Sequence, residues 1–181
     1  MFVPVMLVAS LGSAMTMPVL VADCPHPNGT DTAVHYFNCD THEELVLKNM
    51  KITDDKGNPM YPFNPSKPIV VNEQSENSGG EHTSLTVDVD LWHYGSKTGA
   101  CAWDTVPTLG LLHNLDGCAI AKNCPIEHGE VDMNQQIDLT PFQAIIHTLG
   151  NNQVYQLRII TKDGVTKKQI GCVYAQGLLK F

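Results

Sequence analysis

The chain has 181 residues, a one-domain length, and a formal net charge of −8 from 11 Lys and Arg against 19 Asp and Glu. That balance excludes a nucleic-acid partner, which needs a basic face, and opposes firm binding to anionic lipid at neutral pH. Full protonation of the eight histidines would bring the charge to about zero, so an acidic compartment would remove the repulsion from a negative membrane.

Residues 2–22 are apolar or small and carry no charge. They read as a secretory signal peptide over 1–22, cleaved after Ala14 or Ala22. The stretch lacks a basic n-region, and a signal anchor is the competing reading; Pro4, Gly12 and Pro18 make a durable spanning helix less favourable. Residues 23–36 then read as a polar N-terminal arm, with Pro25 and Pro27. Cysteines 24, 39, 101, 118, 124 and 172 all follow the signal. An even count behind a signal peptide reads as disulfides, with fifteen possible pairings. Asn28-Gly-Thr30 is a glycosylation sequon in the same secretory context.

Along the chain, 34–39 is a short strand candidate. Leu45, Leu47 and Ile52 mark a second strand, with Lys48 and Lys51 facing solvent. Pro59, Pro62, Pro65 and Pro68 exclude a helix or central strand and predict a loop or extended edge. A short strand is expected at 68–72, and a polar turn region from Asn72 to His82. Leu85, Val87, Val89 and Leu91 alternate with Thr86, Asp88, Asp90 and Trp92, the period of a half-buried antiparallel strand. Residues 101–115 read as irregular or short strands. Cys118 to Cys124 reads as a loop pinned at its base. Val131, Met133, Ile137 and Leu139 alternate again. Residues 141–149 read as a loop or short strand, and 154–160 with 168–179 form a C-terminal hairpin. Neither an amphipathic helix nor an internal repeat is evident. The series predicts an all-β protein, an antiparallel β-sandwich.

Catalytic signatures are missing. There is no Gly-x-Ser-x-Gly and no phosphate-cradling loop, since Gly79-Gly80 lacks a following helix and a Lys-Ser/Thr pair. Asp88 and Asp90 share a strand face and read as a solvated face rather than a glycosidase pair. Cys118 and Cys124 with His113 and His128 offer zinc-type ligands, but secretion favours the oxidised pair. No enzymatic activity and no cofactor are expected. Periodicity alone does not tell a packed core from an apolar cavity between splayed sheets.

The residues Gly117-Cys118 and Cys124-Pro-Ile126 ahead of Gly129, with Asp163-Gly164 and the ending Ile170-Gly-Cys-Val-Tyr-Ala175, resemble the ML-domain lipid-recognition family. The segment Phe37-Asn-Cys39-Asp40 and the last strand are most similar to its ganglioside-activator branch, which carries more rim cysteines than this chain. The resemblance spans 37–181, a single lipid-binding domain. It implies an immunoglobulin-like β-sandwich whose sheets part around an apolar cavity. It implies a bridge Cys39–Cys172 between the first and last strands and a local bridge Cys118–Cys124, leaving Cys24 with Cys101.

The expected function is a secreted or lysosomal protein that binds and transfers lipid: phospholipid, glycolipid or sterol. The expected lining is Leu85, Val87, Val89, Leu91, Val131, Met133, Ile137, Leu139, Tyr155, Leu157 and Ile159. The expected portal is Trp92, Trp103, Phe142, Ile145 and Ile146, in transient contact with a membrane. The alternative is a receptor co-factor or glycosidase activator that works by protein contact and lipid presentation. An enzyme is a third reading.

Overall fold

The computed structural model describes residues 24–96, 99–121 and 124–181. The signal-peptide expectation over 1–22 lies outside them. Among the described residues nine strands pair antiparallel in two sheets. Sheet A contains β1 (His35–Asn38), β4 (Leu85–Ser96), β5 (Cys101–Thr105), β6 (Leu115–Asp116), β8 (Gln153–Asp163) and β9 (Gln169–Leu179). Their order is β1-β9-β8-β4-β5, with β6 also on β4. Sheet B contains β2 (Leu45–Thr53), β3 (Ile69–Asn77) and β7 (Gly129–Ile137), with β3 central. β2 packs against β9, which closes one side of the sandwich. This is the antiparallel β-sandwich that the alternation predicts.

Register fixes which side chains face inward. Val87 pairs with Thr161, Val89 with Ile159 and Leu91 with Leu157; Ile159 then pairs with Val173 and Leu157 with Ala175. Directly opposed residues share a face, so these line the inner face of sheet A. On sheet B the rows are Met50, Glu73 and Met133, then Leu47, Ser75 and Val131. A bulge between Leu47 and Asn49 shifts the phase of β2 by one residue. It explains why the buried set is Leu45, Leu47 and Met50 while Lys48 and Lys51 are both exposed.

Three sequence expectations are corrected. The strand expected to end at 72 runs to Asn77, because β7 supplies partners as far as Gly129. The segment 141–149 contains a short helix, α2 (Gln143–Ile146), after a 3-10 turn at Thr140–Phe142. Pro141 sits in the first turn, where its missing N–H costs nothing, and Asp138 accepts the Thr140 N–H at 2.9 Å. The pinned loop also holds a helical turn, α1 (Gly117–Ala121), and Asp116 accepts the Ala119 N–H at 3.0 Å in N-cap fashion.

Three disulfides join Cys24 to Cys101, Cys39 to Cys172 and Cys118 to Cys124, the pairs that the resemblance implies. The Cys24–Cys101 bridge anchors the N-terminal arm beside β5. At its other end Tyr61 donates its hydroxyl to the Thr30 carbonyl at 2.5 Å and accepts the Leu178 N–H at 2.9 Å. Thr30 is fully buried as a result.

One end of the sandwich is closed by a polar lock. His82 is buried, with Nδ1 3.0 Å from Asp163 and Nε2 3.5 Å from Glu44, which Lys168 also pairs. Asp163 accepts the Thr166 N–H at 2.6 Å, the Thr166 hydroxyl at 2.7 Å and the Val165 N–H at 3.1 Å. The Thr166 N–H first, then His82 and the Thr166 hydroxyl, hold its carboxyl well below the usual carboxylate range. Backbone bonds at 2.9 Å in both directions tie His82 to Ile126, just past Cys124.

Candidate functional site

Among the described residues, buried apolar side chains gather in two separate clusters. One cluster, at the polar-lock end, gathers Leu45, Leu85, Ile126, Met133 and Ile170, with Cys118, Cys124 and Val131 against it. A second, at the opposite end, gathers Leu91, Ile145, Tyr155 and Leu179, with Phe63, Val106, Leu112, Leu149 and Leu157 around it. Glycine permits one close approach here: a Cβ on Gly177 would lie 2.2 Å from the Phe63 ring, so the proline-rich segment packs directly on β9.

Between the clusters the inner face of sheet A is only half covered. Val87, Val89, Ile159 and Val173 on sheet A, and Val71 on sheet B, are half-buried, although register turns all of them toward the space between the sheets. In a filled sandwich these central positions are the most buried. Sheet B is better covered, with Leu47, Met50 and Ser75 buried on its inner face, so the partly uncovered positions lie mainly along the middle of sheet A.

The expected lining falls on this framework. Leu85, Val87, Val89, Leu91, Tyr155, Leu157 and Ile159 lie on the inner face of sheet A, and Val131, Met133 and Ile137 on that of sheet B. Leu85 and Met133 belong to the first cluster, and Leu91 and Tyr155 to the second. Leu139 lies past β7, at the start of the 3-10 turn.

The expected portal set is not brought together. Trp92 and Trp103 sit on the opposite, outer face of sheet A, because Trp92 follows the parity of Asp88 and Asp90 while Trp103 pairs with Tyr94. The Trp92 ring tilts against Tyr174 at 6.3 Å and lies beneath Arg158 at 5.7 Å, and Tyr94 contacts Trp103 at 5.0 Å. Ile145 and Ile146 are core residues at 6 % exposure each. Truncating either would cost about 2–4 kcal/mol, so neither is a dispensable gate. Phe142 is half-buried. A cleft of about 520 Å³ opens between Pro65–Pro68 and the segment 136–143, beside Ile137 and Leu139.

Sequence reasoning missed two exposed leucines. Leu109 is 89 % and Leu111 49 % exposed, on the loop whose flanks, Val106 and Leu112, pack into the second cluster. The Leu-Gly-Leu tip was visible in the sequence, but without strand periodicity nothing marked it as exposed. Glu73 and Gln135 on the inner face of sheet B were also missed.

Among the described residues, the aspartates, cysteines and histidines weighed for other chemistries have these partners. Lys162 pairs with Asp88 at 2.5 Å and Arg158 with Asp90 at 2.6 Å, both on the outer face. The Asn114 N–H and Lys162 hold the Asp88 carboxyl below its ordinary range. Cys118 and Cys124 are bonded to each other, His113 sits 3.3 Å from Asp90 and His128 lies 2.9 Å from the Gly79 carbonyl. No group of potential metal ligands occurs among the described residues. Among them no helix is long and apolar enough to cross a membrane.

No protein-family profile matches the chain, and no curated protein matches it. Solved structures do. A Niemann-Pick type C2 protein from Japanese carpenter ant has 9 % identity and a TM-score of 0.46, over 81 % of this chain and 99 % of that one. Chicken MD-1 complexed with lipid IVa has 12 % identity and a TM-score of 0.37, over 80 % and 96 %. At this level of similarity the two-sheet architecture stands on the strand pairing described above.

Proposed function

We propose that the protein is a secreted or lysosomal lipid-binding and transfer protein that holds acyl chains or a sterol in the slot between its sheets. The observation that carries this reading is the break in the core, with Val87, Val89, Ile159 and Val173 partly uncovered between two closed clusters. Covering such side chains is the main favourable term open to a ligand. Burying about 300 Å² of ligand apolar surface contributes roughly 7–8 kcal/mol before ordering costs. Lipid would enter by the cleft beside Ile137 and Leu139. The exposed Leu109 and Leu111 are the groups best suited to touch a membrane while it does so. Asn28 is exposed, its side-chain amide donating to Gln176 at 2.7 Å, and its modification in the secretory route belongs to the same reading.

The alternative, a receptor co-factor or activator acting by protein contact, draws on a different surface. Phe37, 40 % exposed, stacks on Tyr174 at 5.0 Å, next to Trp92 and Arg158 on the outer face of sheet A. Aromatic and arginine side chains are the usual anchors of protein interfaces.

Placing a charge in the slot separates the two. Val89→Arg should lower transfer of a fluorescent acyl lipid between vesicles at least tenfold, while Phe37→Ala should leave it unchanged. Transfer that survives Val89→Arg in the folded protein would remove the slot from the account.

A further inference from the structure

The two walls of the slot differ in chemistry. Sheet A offers Val87, Val89, Leu157 and Ile159. Sheet B carries a carboxyl at its centre: Glu73 stands between its cross-strand partners Met50 and Met133. Met133 packs with Leu85 and Ile170 of sheet A, so this face looks into the sandwich. Gln135, two residues along β7 from Met133, donates its amide N–H to Glu73 Oε2 at 3.3 Å and lies 3.6 Å from the Met133 sulfur. Ser75, the next inward residue of β3, is buried.

Glu73 lacks the partners of a structural carboxylate. Asp163 in the same protein accepts three hydrogen bonds from Val165 and Thr166 and faces His82. Glu73 has a single amide donor and no paired cation among the described residues. The nearby Lys51 belongs to the opposite face, and Lys48 pairs with Glu76 there. Burial alone pushes the Glu73 carboxyl up to about 7, so below neutral pH it carries its proton. A carboxylic acid beside a carboxamide then offers both donors and acceptors in an otherwise apolar slot. Glu73 is half-buried, so its second oxygen stays open to a group that enters between the sheets.

We propose that Glu73 and Gln135 form an internal polar subsite that takes the uncharged hydrogen-bonding end of a lipid, a hydroxyl or a carboxylic acid, between the two sheets. The proposal rests on the lipid-binding reading above and orients the ligand with that group inward. It disfavours a phosphate at this depth, since a permanent anion would be desolvated beside an acidic side chain with no cation to offset it.

The test uses two pairs of fluorescent probes at pH 5.5: cis-parinaric acid with its methyl ester, and dehydroergosterol with its methyl ether. The wild-type protein should prefer the uncapped member of at least one pair about tenfold. In Glu73→Leu that preference should fall to within about twofold, and in Glu73→Gln, which keeps donors and acceptors, most of it should persist. A preference confined to the acid pair assigns a carboxylic acid, and one confined to the sterol pair assigns a hydroxyl. Either supports the subsite. Equal affinities in the wild type, or a preference that survives Glu73→Leu, would overturn the subsite and leave lipid binding intact. Failure of the wild type to bind any probe would overturn lipid binding itself. Melting curves of both variants report whether they are folded.

Discussion

Replacing Cys39 and Cys172 together with serine should lower the free energy of unfolding by about 4–5 kcal/mol, the largest loss expected from any single bridge. The bridge joins β1 to β9 across a sequence separation of 133. It sits where the Cys39 N–H already bonds the Cys172 carbonyl at 2.9 Å. Its main action is on the unfolded chain, whose freedom falls with the length of the closed loop. The Cys118–Cys124 bridge spans a separation of only 6 and should contribute about 2–2.5 kcal/mol. Urea unfolding of the two double variants should therefore rank them clearly. Equal losses would mean that the long bridge acts through native packing and that loop entropy is the wrong explanation.

The second large effect is a gain. Glu73→Gln should stabilise the protein by about 3 kcal/mol at pH 8. The sign follows from the direction of the shift. Burial raises the folded-state carboxyl from 4.5 to about 7. The stability associated with its proton is therefore fully present below pH 4.5 and is lost as pH rises through 7. Glutamine never ionises, so the variant escapes that loss. Its advantage should be close to zero at pH 4, grow between pH 4.5 and 7, and level off above. Unfolding curves at pH 4, 6 and 8 measure it. An advantage of the same size at every pH would show that ionisation of Glu73 is not what is relieved. Glu73 thus weakens the folded protein as pH rises towards neutral, the kind of local cost that the proposed binding role would account for.

Much of the frame was legible because β-strands announce which face is buried. Alternation at Leu85–Leu91 and Val131–Leu139 marked two strands, although the second ends at Ile137 and Leu139 lies past it. The shift from Leu45 and Leu47 to Met50 and Ile52 even carries the trace of the β2 bulge. The strand that carries Glu73 was truncated for the converse reason. From Asn72 to Asn77 both faces of β3 are polar, with Asn72, Gln74 and Glu76 outside and Glu73, Ser75 and Asn77 inside. A strand polar on both faces looks like a turn until its pairing with β7 is known. The portal was misplaced because an aromatic side chain shows what it can do but not where it sits. Strand parity already put Trp92 on the polar phase, and pairing with β5 places Trp103 beside Tyr94 on that same outer face. The lock of His82, Asp163 and Glu44 had no local signal, since His82 and Asp163 lie 81 residues apart.

The central claim is that the space between the sheets holds lipid. Native mass spectrometry of the full chain, expressed in a eukaryotic secretory host and purified without detergent, tests it most directly. The account predicts a population heavier than the apo-protein by the mass of a lipid, lost on denaturation and much reduced in Val89→Arg. A wild-type protein that is always empty under these conditions, and stays empty after incubation with lipid vesicles at pH 5.5 and 7.5, would contradict it.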